Sequence, residues 1–547
     1  MEINTQSLSQ KTVKILSQKI SLDWIHPYKN SNTSKSIGTG FFINDKGYIL
    51  TCSHVVENAK KVYIQIPNYG KEKIEVDIIG LCPDLDIALL KTKNYKNTDY
   101  YELHDQQTIY DIKPGSDVYA IGFPLGQDNI KYTKGIISGR QYTLIQTDTP
   151  INPGNSGGPL LLDNKVIGIN SSGILFANNV GYATPIAYYY LIKELLEKGK
   201  DKMIKRPFLG LSYQNTNKPL LDVKSCKCDN GIYVKEIFKG SPISKSGLKK
   251  GDIICSINDI KVDNFGLFDK EWFNEKMKLS DILKMVKNNE IINIEYWRGK
   301  KLYKKKFKYN NFELIINKKY ELYEKEVIDY EVFGGFIVME LTENHLDKII
   351  SKLHLDDPSK ITNRINNFMK YLNNENKIEK KLIITHVFPN STLANLEVLD
   401  EYDIIEEVNG KKCQTLEDYR KAMKNTTKIK GKNYIEIITE VNKRVVLLIS
   451  ELMEEEVVFS ETYKYNLSHL YKNFSTKKSF LTKSKISNLT KSKISNLTKS
   501  KISNQKKSLN QKTKKSFLKK SLNQKTKKSL INNNNISSNQ SNVNKKL

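Results

Sequence analysis

The apolar positions of this chain fall into short runs, and several of them read as strands. Ile49-Leu50-Thr51-Cys52 leads into Ser53-His54-Val55-Val56, and Asp84-Leu85-Asp86 opens the uninterrupted run Ile87-Ala88-Leu89-Leu90. Runs of this length between polar residues predict β-segments, with His54 and Asp86 at their edges. Residues 186–198 are apolar and aromatic and predict a connector helix, while residues 343–380 predict a polar helical insertion. No stretch approaches the ~18 apolar residues of a membrane-spanning helix, so no transmembrane segment is expected. Past Glu461 the pattern stops. No Asp or Glu follows, and residues 466–547 hold 21 Lys and no Arg in a chain of net charge +28.

The stretch Asn152-Pro153-Gly154-Asn155-Ser156-Gly157-Gly158-Pro159-Leu160 sets a serine among small, turn-forming residues. Glycine lets a backbone approach a substrate carbonyl and aim its N–H groups at one point. Ser156 is therefore a candidate nucleophile. Gly154, Asn155 and Ser156 form the candidate oxyanion hole, with the N–H groups of Gly154 and Ser156 as donors. A serine hydroxyl is a weak nucleophile near neutral pH and needs an imidazole to take its proton, with a carboxylate to fix the tautomer. His54, Asp86 and Ser156 stand in one of the known chain orders for such a set. Asp84 competes with Asp86, because residues two apart on a strand share a face. Asp86 is preferred because it begins the apolar run.

These segments, with Gly38-Thr39-Gly40-Phe41-Phe42, Gly122-Phe123-Pro124-Leu125-Gly126, Gln146-Thr147-Asp148-Thr149-Pro150-Ile151 and Gly181-Tyr182-Ala183-Thr184-Pro185, resemble the HtrA/Deg family of serine proteases. The resemblance covers roughly residues 38–186. It implies a chymotrypsin-like pair of six-stranded β-barrels with the active site between them. His54 would be the general base, Asp86 its orienting carboxylate and Ser156 the nucleophile, with no cofactor and no metal. The substrates implied are unfolded or damaged polypeptides. No carboxylate occurs among Thr149, Pro150, Ile151 and Asn152, which argues against a preference for Lys or Arg. Ile151 is expected to line the specificity pocket and favour small or medium aliphatic side chains.

At 547 residues the chain has room for three or four domains. Arg206-Pro207-Phe208-Leu209-Gly210-Leu211-Ser212, Gly231-Ile232-Tyr233-Val234, Gly240-Ser241-Pro242-Ile243 and Gly251-Asp252-Ile253-Ile254 follow in an order similar to a PDZ domain. Such a domain adds a peptide to a sheet edge and captures its terminal carboxylate on backbone N–H groups, here those of Leu209, Gly210 and Leu211. Gly334-Gly335-Phe336-Ile337-Val338 and Glu401-Tyr402-Asp403-Ile404-Ile405 suggest a second, divergent unit, expected to serve assembly or regulation. The mainly β chain, with α/β PDZ modules, thus divides into residues 1–20, a protease domain over 21–205, PDZ units over 206–311 and 312–455, and a lysine-rich tail over 456–547. Protease and two PDZ units together resemble the plant-type Deg branch.

That family assembles as oligomers built on trimers, which makes Trp24 and Tyr28 candidates for the contact by position. The tail repeats Lys-Ser-Lys-Ile-Ser-Asn-Leu-Thr from Lys483 and again from Lys491. Its one-signed charge and few apolar residues predict disorder and an affinity for polyanions such as nucleic acid or an anionic surface. Residues 1–20 lack the layout of a secretory signal, and the six cysteines are scattered. Isolated reduced thiols in an intracellular protein, cytoplasmic or nuclear, are the expectation; Cys226-Lys227-Cys228 is a weak metal motif. The rival readings are a catalytically silent PDZ scaffold and a polyanion-binding protein.

Overall fold

The computed structural model describes residues 5–93, 95, 99–105, 112–173, 179–199, 202–272, 275–320, 328–353 and 368–475. The lysine-rich repeats lie outside the described residues. The described residues form two compact units, one from within Met1–Asp329 and Glu340–Lys381 and the other from within Tyr330–Met339 and Leu382–Leu547.

The first unit opens with two closed six-stranded barrels, as expected. One contains β1 (Thr12–Ser21), β2 (Asn32–Phe42), β3 (Tyr48–Thr51), β4 (Ala59–Gln65), β5 (Ile74–Cys82) and β6 (Ile87–Thr92). They run in the order β5-β4-β1-β2-β3-β6, and β5 pairs with β6 to close the ring. The other contains β7 (Asp117–Gly122), β8 (Lys131–Gln141), β9 (Leu144–Thr147), β10 (Pro159–Leu162), β11 (Lys165–Gly173) and β12 (Gly181–Pro185), closed in the order β10-β11-β12-β9-β8-β7. Alternation fills the interiors: on β4, Val62 and Ile64 are buried while Lys61, Tyr63 and Gln65 face outward. The boundary expected at residue 21 is wrong. The barrel begins at Thr12, because β1 pairs with both β2 and β4 and buries Thr12, Val13, Lys14 and Ile15 in succession, a run that the buried Lys14 keeps from reading as apolar.

The connector helix spans Ala187–Lys198 and buries Tyr188, Tyr189, Ile192 and Leu196. A five-strand path follows, Leu211–Gln214, Ile232–Ile237, Ile253–Ile257, Ile291–Arg298 and Lys301–Lys308, with helices Lys218–Val223 and Leu279–Lys284. Arg140, on β8, ties this module to the second barrel. Its buried guanidinium donates to the carbonyls of Trp272 (2.8 Å), Glu275 (3.1 Å) and Lys276 (2.8 Å) and faces Asp281.

Residues 340–353 and 368–381 pack with the first unit, not with the strands that flank them in sequence. Helix Glu343–Leu353 buries Leu346, Ile349 and His345, whose ring meets the edge of Trp24 with centroids 5.3 Å apart. The insertion is therefore amphipathic, and Trp24 is buried against its own chain instead of standing free as an assembly contact.

In the second unit a sheet runs Tyr330–Val332, Phe336–Glu340, Leu382–Val387, Ile404–Val408, Lys432–Thr439 and Thr427–Ile429. Its domain extends past the expected end at 455. Helices Ile449–Tyr463 and His469–Ser475 bury Leu452, Met453, Leu470 and Phe474 in the same core.

Candidate active site

The serine loop joins β9 to β10 and rests on the first barrel. Thr39, on β2, holds it. Thr39 N donates to Ser156 O (2.8 Å), and its hydroxyl donates to Gly154 O (2.6 Å) while accepting the Phe123 N–H (3.1 Å). The Thr39 carbonyl in turn accepts the Thr51 hydroxyl at 2.7 Å. Three positions admit only glycine, among them Gly158, whose Cβ would lie 2.1 Å from Ile121 O. Gly154 has φ +101°, and a Cβ there would lie 2.3 Å from Phe123 O; Gly157 has φ +89°, and its Cβ would lie 2.1 Å from Thr39 O.

This geometry leaves two N–H groups unengaged among the described residues. Pro153 O accepts the Leu125 N–H at 2.6 Å. Across a trans peptide the Gly154 N–H points the opposite way, away from Phe123-Pro124-Leu125. Neither the Gly154 nor the Ser156 N–H makes a hydrogen bond among the described residues. Asn155, between the two expected donors, supplies none itself: its N–H closes a turn on Asn152 O at 2.9 Å, and its side chain is buried with Nδ2 donating to Pro150 O.

His54 sits on the single helical turn Ser53–Val56, beyond β3. Asp86 ends the turn Pro83–Leu85 in a left-handed conformation, φ +54°, which aspartate tolerates better than most side chains. His54 Nδ1 lies 2.9 Å from both Asp86 oxygens, and the His54 backbone N–H donates to Asp86 Oδ1 at 3.0 Å. A carboxylate only accepts, so Nδ1 carries the proton and Nε2 keeps its lone pair. Ser171, on β11, donates its hydroxyl to Asp86 Oδ2 at 2.7 Å. Burial alone would raise the Asp86 carboxyl, but the hydrogen bonds and charge of His54, with the Ser171 hydroxyl, hold it below the usual carboxylate range. The Ser156 hydroxyl donates to Ser171 O at 2.7 Å, and no hydrogen bond joins it to His54 among the described residues.

Asp84 has a different role. Its Oδ2 accepts the Arg206 N–H at 2.7 Å, where the chain enters the next module, and burial raises its carboxyl. Beside it a cavity of about 380 Å³ is lined by Leu209, Leu211, Tyr213, Leu283, Lys284 and Tyr309, between strand Leu211–Gln214 and helix Leu279–Lys284. Gly210 turns there with φ +78°. Ile151 is buried, its side chain pressed against Gly181.

Residues 38–169 match the trypsin-like peptidase domain, and residues 200–282 and 319–464 match PDZ domains. The relatives this chain matches are named DegP-like or HtrA serine proteases. The chain is 36% identical over 239 residues to a probable periplasmic serine endoprotease, DegP-like, of Pseudomonas putida, covering 41% of this chain and 48% of that protein. A protein of the same description from Chlamydia pneumoniae is 33% identical (47% and 54% covered), and the serine protease Do-like HtrA of Bacillus subtilis is 34% identical (43% and 57% covered). The chain thus spans about half the length of the curated relatives it matches. A solved HtrA-type protease, AlgW with a decapeptide, is 22% identical with a TM-score of 0.43, covering 56% of this chain and 98% of that one.

Two expectations fall. Homologues of the peptidase domain are named periplasmic, against a cytoplasmic or nuclear location. The thiols are not all reduced: Cys228 and Cys255 form a disulfide, 27 residues apart, brought together by the pairing of Ile232–Ile237 with Ile253–Ile257. No helix among the described residues is long and apolar enough to cross a membrane. Sequence reasoning also missed Ser171, which carries no motif of its own, and the role of Thr39, which lay inside a quoted motif.

Proposed function

We propose that this protein is a serine endopeptidase. Ser156 Oγ attacks the carbonyl carbon of a peptide bond while its proton passes to His54 Nε2. The carbonyl oxygen becomes an oxyanion held by the N–H groups of Gly154 and Ser156. His54 then delivers the proton to the departing amine, and water hydrolyses the acyl ester by the same route. Asp86 stabilises the imidazolium. In the conformation described, the Ser156 hydroxyl rests on Ser171 O, so attack needs a rotation about its Cα–Cβ bond. The observation that carries the reading is the His54–Asp86 pair beside a serine loop with two unengaged N–H groups.

Ile151 favours small or medium aliphatic side chains before the cleaved bond. Unfolded polypeptides are the substrate class, and the loop Leu209-Gly210-Leu211 takes peptide C-termini. The compartment is extracytoplasmic, in line with relatives named periplasmic and with the Cys228–Cys255 disulfide. A homo-oligomer built on trimers and polyanion binding by the lysine-rich tail complete the proposal. A fluorophosphonate probe tests its core: labelling of Ser156, abolished in Ser156→Ala, is expected. An unlabelled wild-type chain that still binds peptides would mark a PDZ scaffold.

A further inference from the structure

The second unit repeats the geometry of the first PDZ loop. In the first, Gly210 has φ +78°, its carbonyl accepts the Phe238 N–H at 2.9 Å, and a Cβ there would lie 2.0 Å from Ser241 Cβ. In the second, Gly335 has φ +85°, its carbonyl accepts the Phe388 N–H at 2.8 Å, and its Cβ would lie 2.4 Å from Ser391 Cβ. Gly334 therefore stands where Leu209 stands, one residue ahead of the turn. Strand Phe336–Glu340 leaves this loop as Leu211–Gln214 leaves the other.

The two loops differ in what meets their N–H groups. The Leu209 N–H makes no hydrogen bond among the described residues, whereas the Gly334 N–H donates to Glu456 Oε2 at 2.9 Å. Glu456 is fully buried on helix Ile449–Tyr463, and its Oε1 has no hydrogen-bond partner among the described residues. A carboxyl so placed is unfavourable unless the loop that receives it is built for one. Burial first, then the acidic neighbours Glu331 and Glu455, push it up to about 8 against the pull of the Gly334 N–H and the Tyr465 hydroxyl. The rest of the helix closes over the loop. Leu452 carbons lie 3.0 Å from where a Gly334 Cβ would be, Phe459 lies 3.2 Å from that of Gly335, and Phe459 stacks on Phe388 with centroids 5.3 Å apart.

We infer that the second PDZ groove is occupied in cis: the Glu456 side-chain carboxyl sits where a bound peptide's terminal carboxylate would sit, and helix Ile449–Tyr463 must move before this unit takes a peptide C-terminus. The unit is thereby held closed, while the loop at Leu209 is left open. The inference is independent of the catalytic chemistry.

Hydrogen exchange on the full chain tests it, with an octapeptide ending in a free leucine carboxylate and with its C-terminal amide. In the wild-type chain the peptide is expected to slow exchange in residues 207–213 and to leave residues 332–338, already protected, unchanged. In Glu456→Ala, residues 332–338 should exchange faster without peptide and slow by roughly tenfold with it, but not with the amide. Glu456→Gln keeps the acceptor and should stay closed. Peptide protection of residues 332–338 in the wild-type chain overturns the inference, and that measurement stands even if Glu456→Ala unfolds the unit. So does a folded Glu456→Ala chain whose loop ignores the peptide.

Discussion

Ser171 touches both ends of the candidate site. Its hydroxyl donates to Asp86 Oδ2 at 2.7 Å, and its carbonyl accepts the Ser156 hydroxyl at 2.7 Å. One strand residue thus steadies the carboxylate and parks the nucleophile. Ser171→Ala removes only the first contact. Because that contact helps hold Asp86 below the usual carboxylate range, its loss raises the carboxyl. The carboxylate is then lost at a higher pH as acid is added, so the acid limb of kcat/KM should move upward, with about a tenfold loss at neutral pH for one charge-assisted hydrogen bond. A profile identical to wild type would show that Ser171 does not act through Asp86.

Asp84 and Asp86 should separate sharply. Asp86→Asn places a donor or a neutral acceptor against His54 Nδ1 and is expected to lower kcat by ~10^4-fold through the wrong tautomer. Asp84→Asn keeps an oxygen for the Arg206 N–H and should leave peptide hydrolysis within about twofold. Equal losses in the two variants, measured with one peptide substrate, would contradict these roles.

Thr39→Val keeps the shape of a buried side chain but removes the hydroxyl shared by Gly154 O and Phe123 N. Two buried backbone groups are left unpaired, at a cost of ~2 kcal/mol or more in urea unfolding. Activity should fall further than stability explains, because Gly154 then loses the hydrogen bond that orients its peptide.

Arg140→Ala leaves the carbonyls of Tyr142, Trp272, Glu275 and Lys276, and Asp281, facing a void. Breaking a buried charged network by removing one partner costs about 3–5 kcal/mol. Limited proteolysis is expected to cut near residues 267–278 in the variant and to spare the wild type.

Glu456 makes the second unit's stability depend on pH. Its carboxyl is raised to about 8, so the folded state holds a proton that the unfolded state releases near 4.5. That stabilisation is complete below about 4.5, declines as pH rises by at most ~1.4 kcal/mol per pH unit, and is lost above about 8. The groups facing it are Glu331, held by Arg420 at 2.7 Å, Glu455, bound to Thr392, and Tyr419, Tyr465 and Tyr471. Glu456→Gln should flatten the melting profile between pH 5 and 8; an equally steep profile in the variant would assign it to another group.

Much of the site was legible because its demands are local. A serine loop crowded against Phe123 O, Thr39 O and Ile121 O admits only glycine at 154, 157 and 158, and that requirement is written in consecutive letters. Ser171 was not legible, since a serine on an ordinary strand looks like any other. The part Asn155 plays in the candidate oxyanion loop was not legible either, since only the folded turn shows its N–H engaged with Asn152 O.

The candidate set His54, Asp86 and Ser156 was legible in residue types and their chain order, and the two barrels and the PDZ loops in the resemblance of short motifs to a known family, because turns, strands and tight glycine positions depend on near neighbours. What lies between distant segments depended on the fold: β1 inside the barrel, Trp24 against His345, Cys228 joined to Cys255, and Glu456 in the loop of Gly334. A carboxylate 122 residues from the N–H it meets leaves no periodic trace. Only packing, which decides which buried polar groups find partners, could assign it.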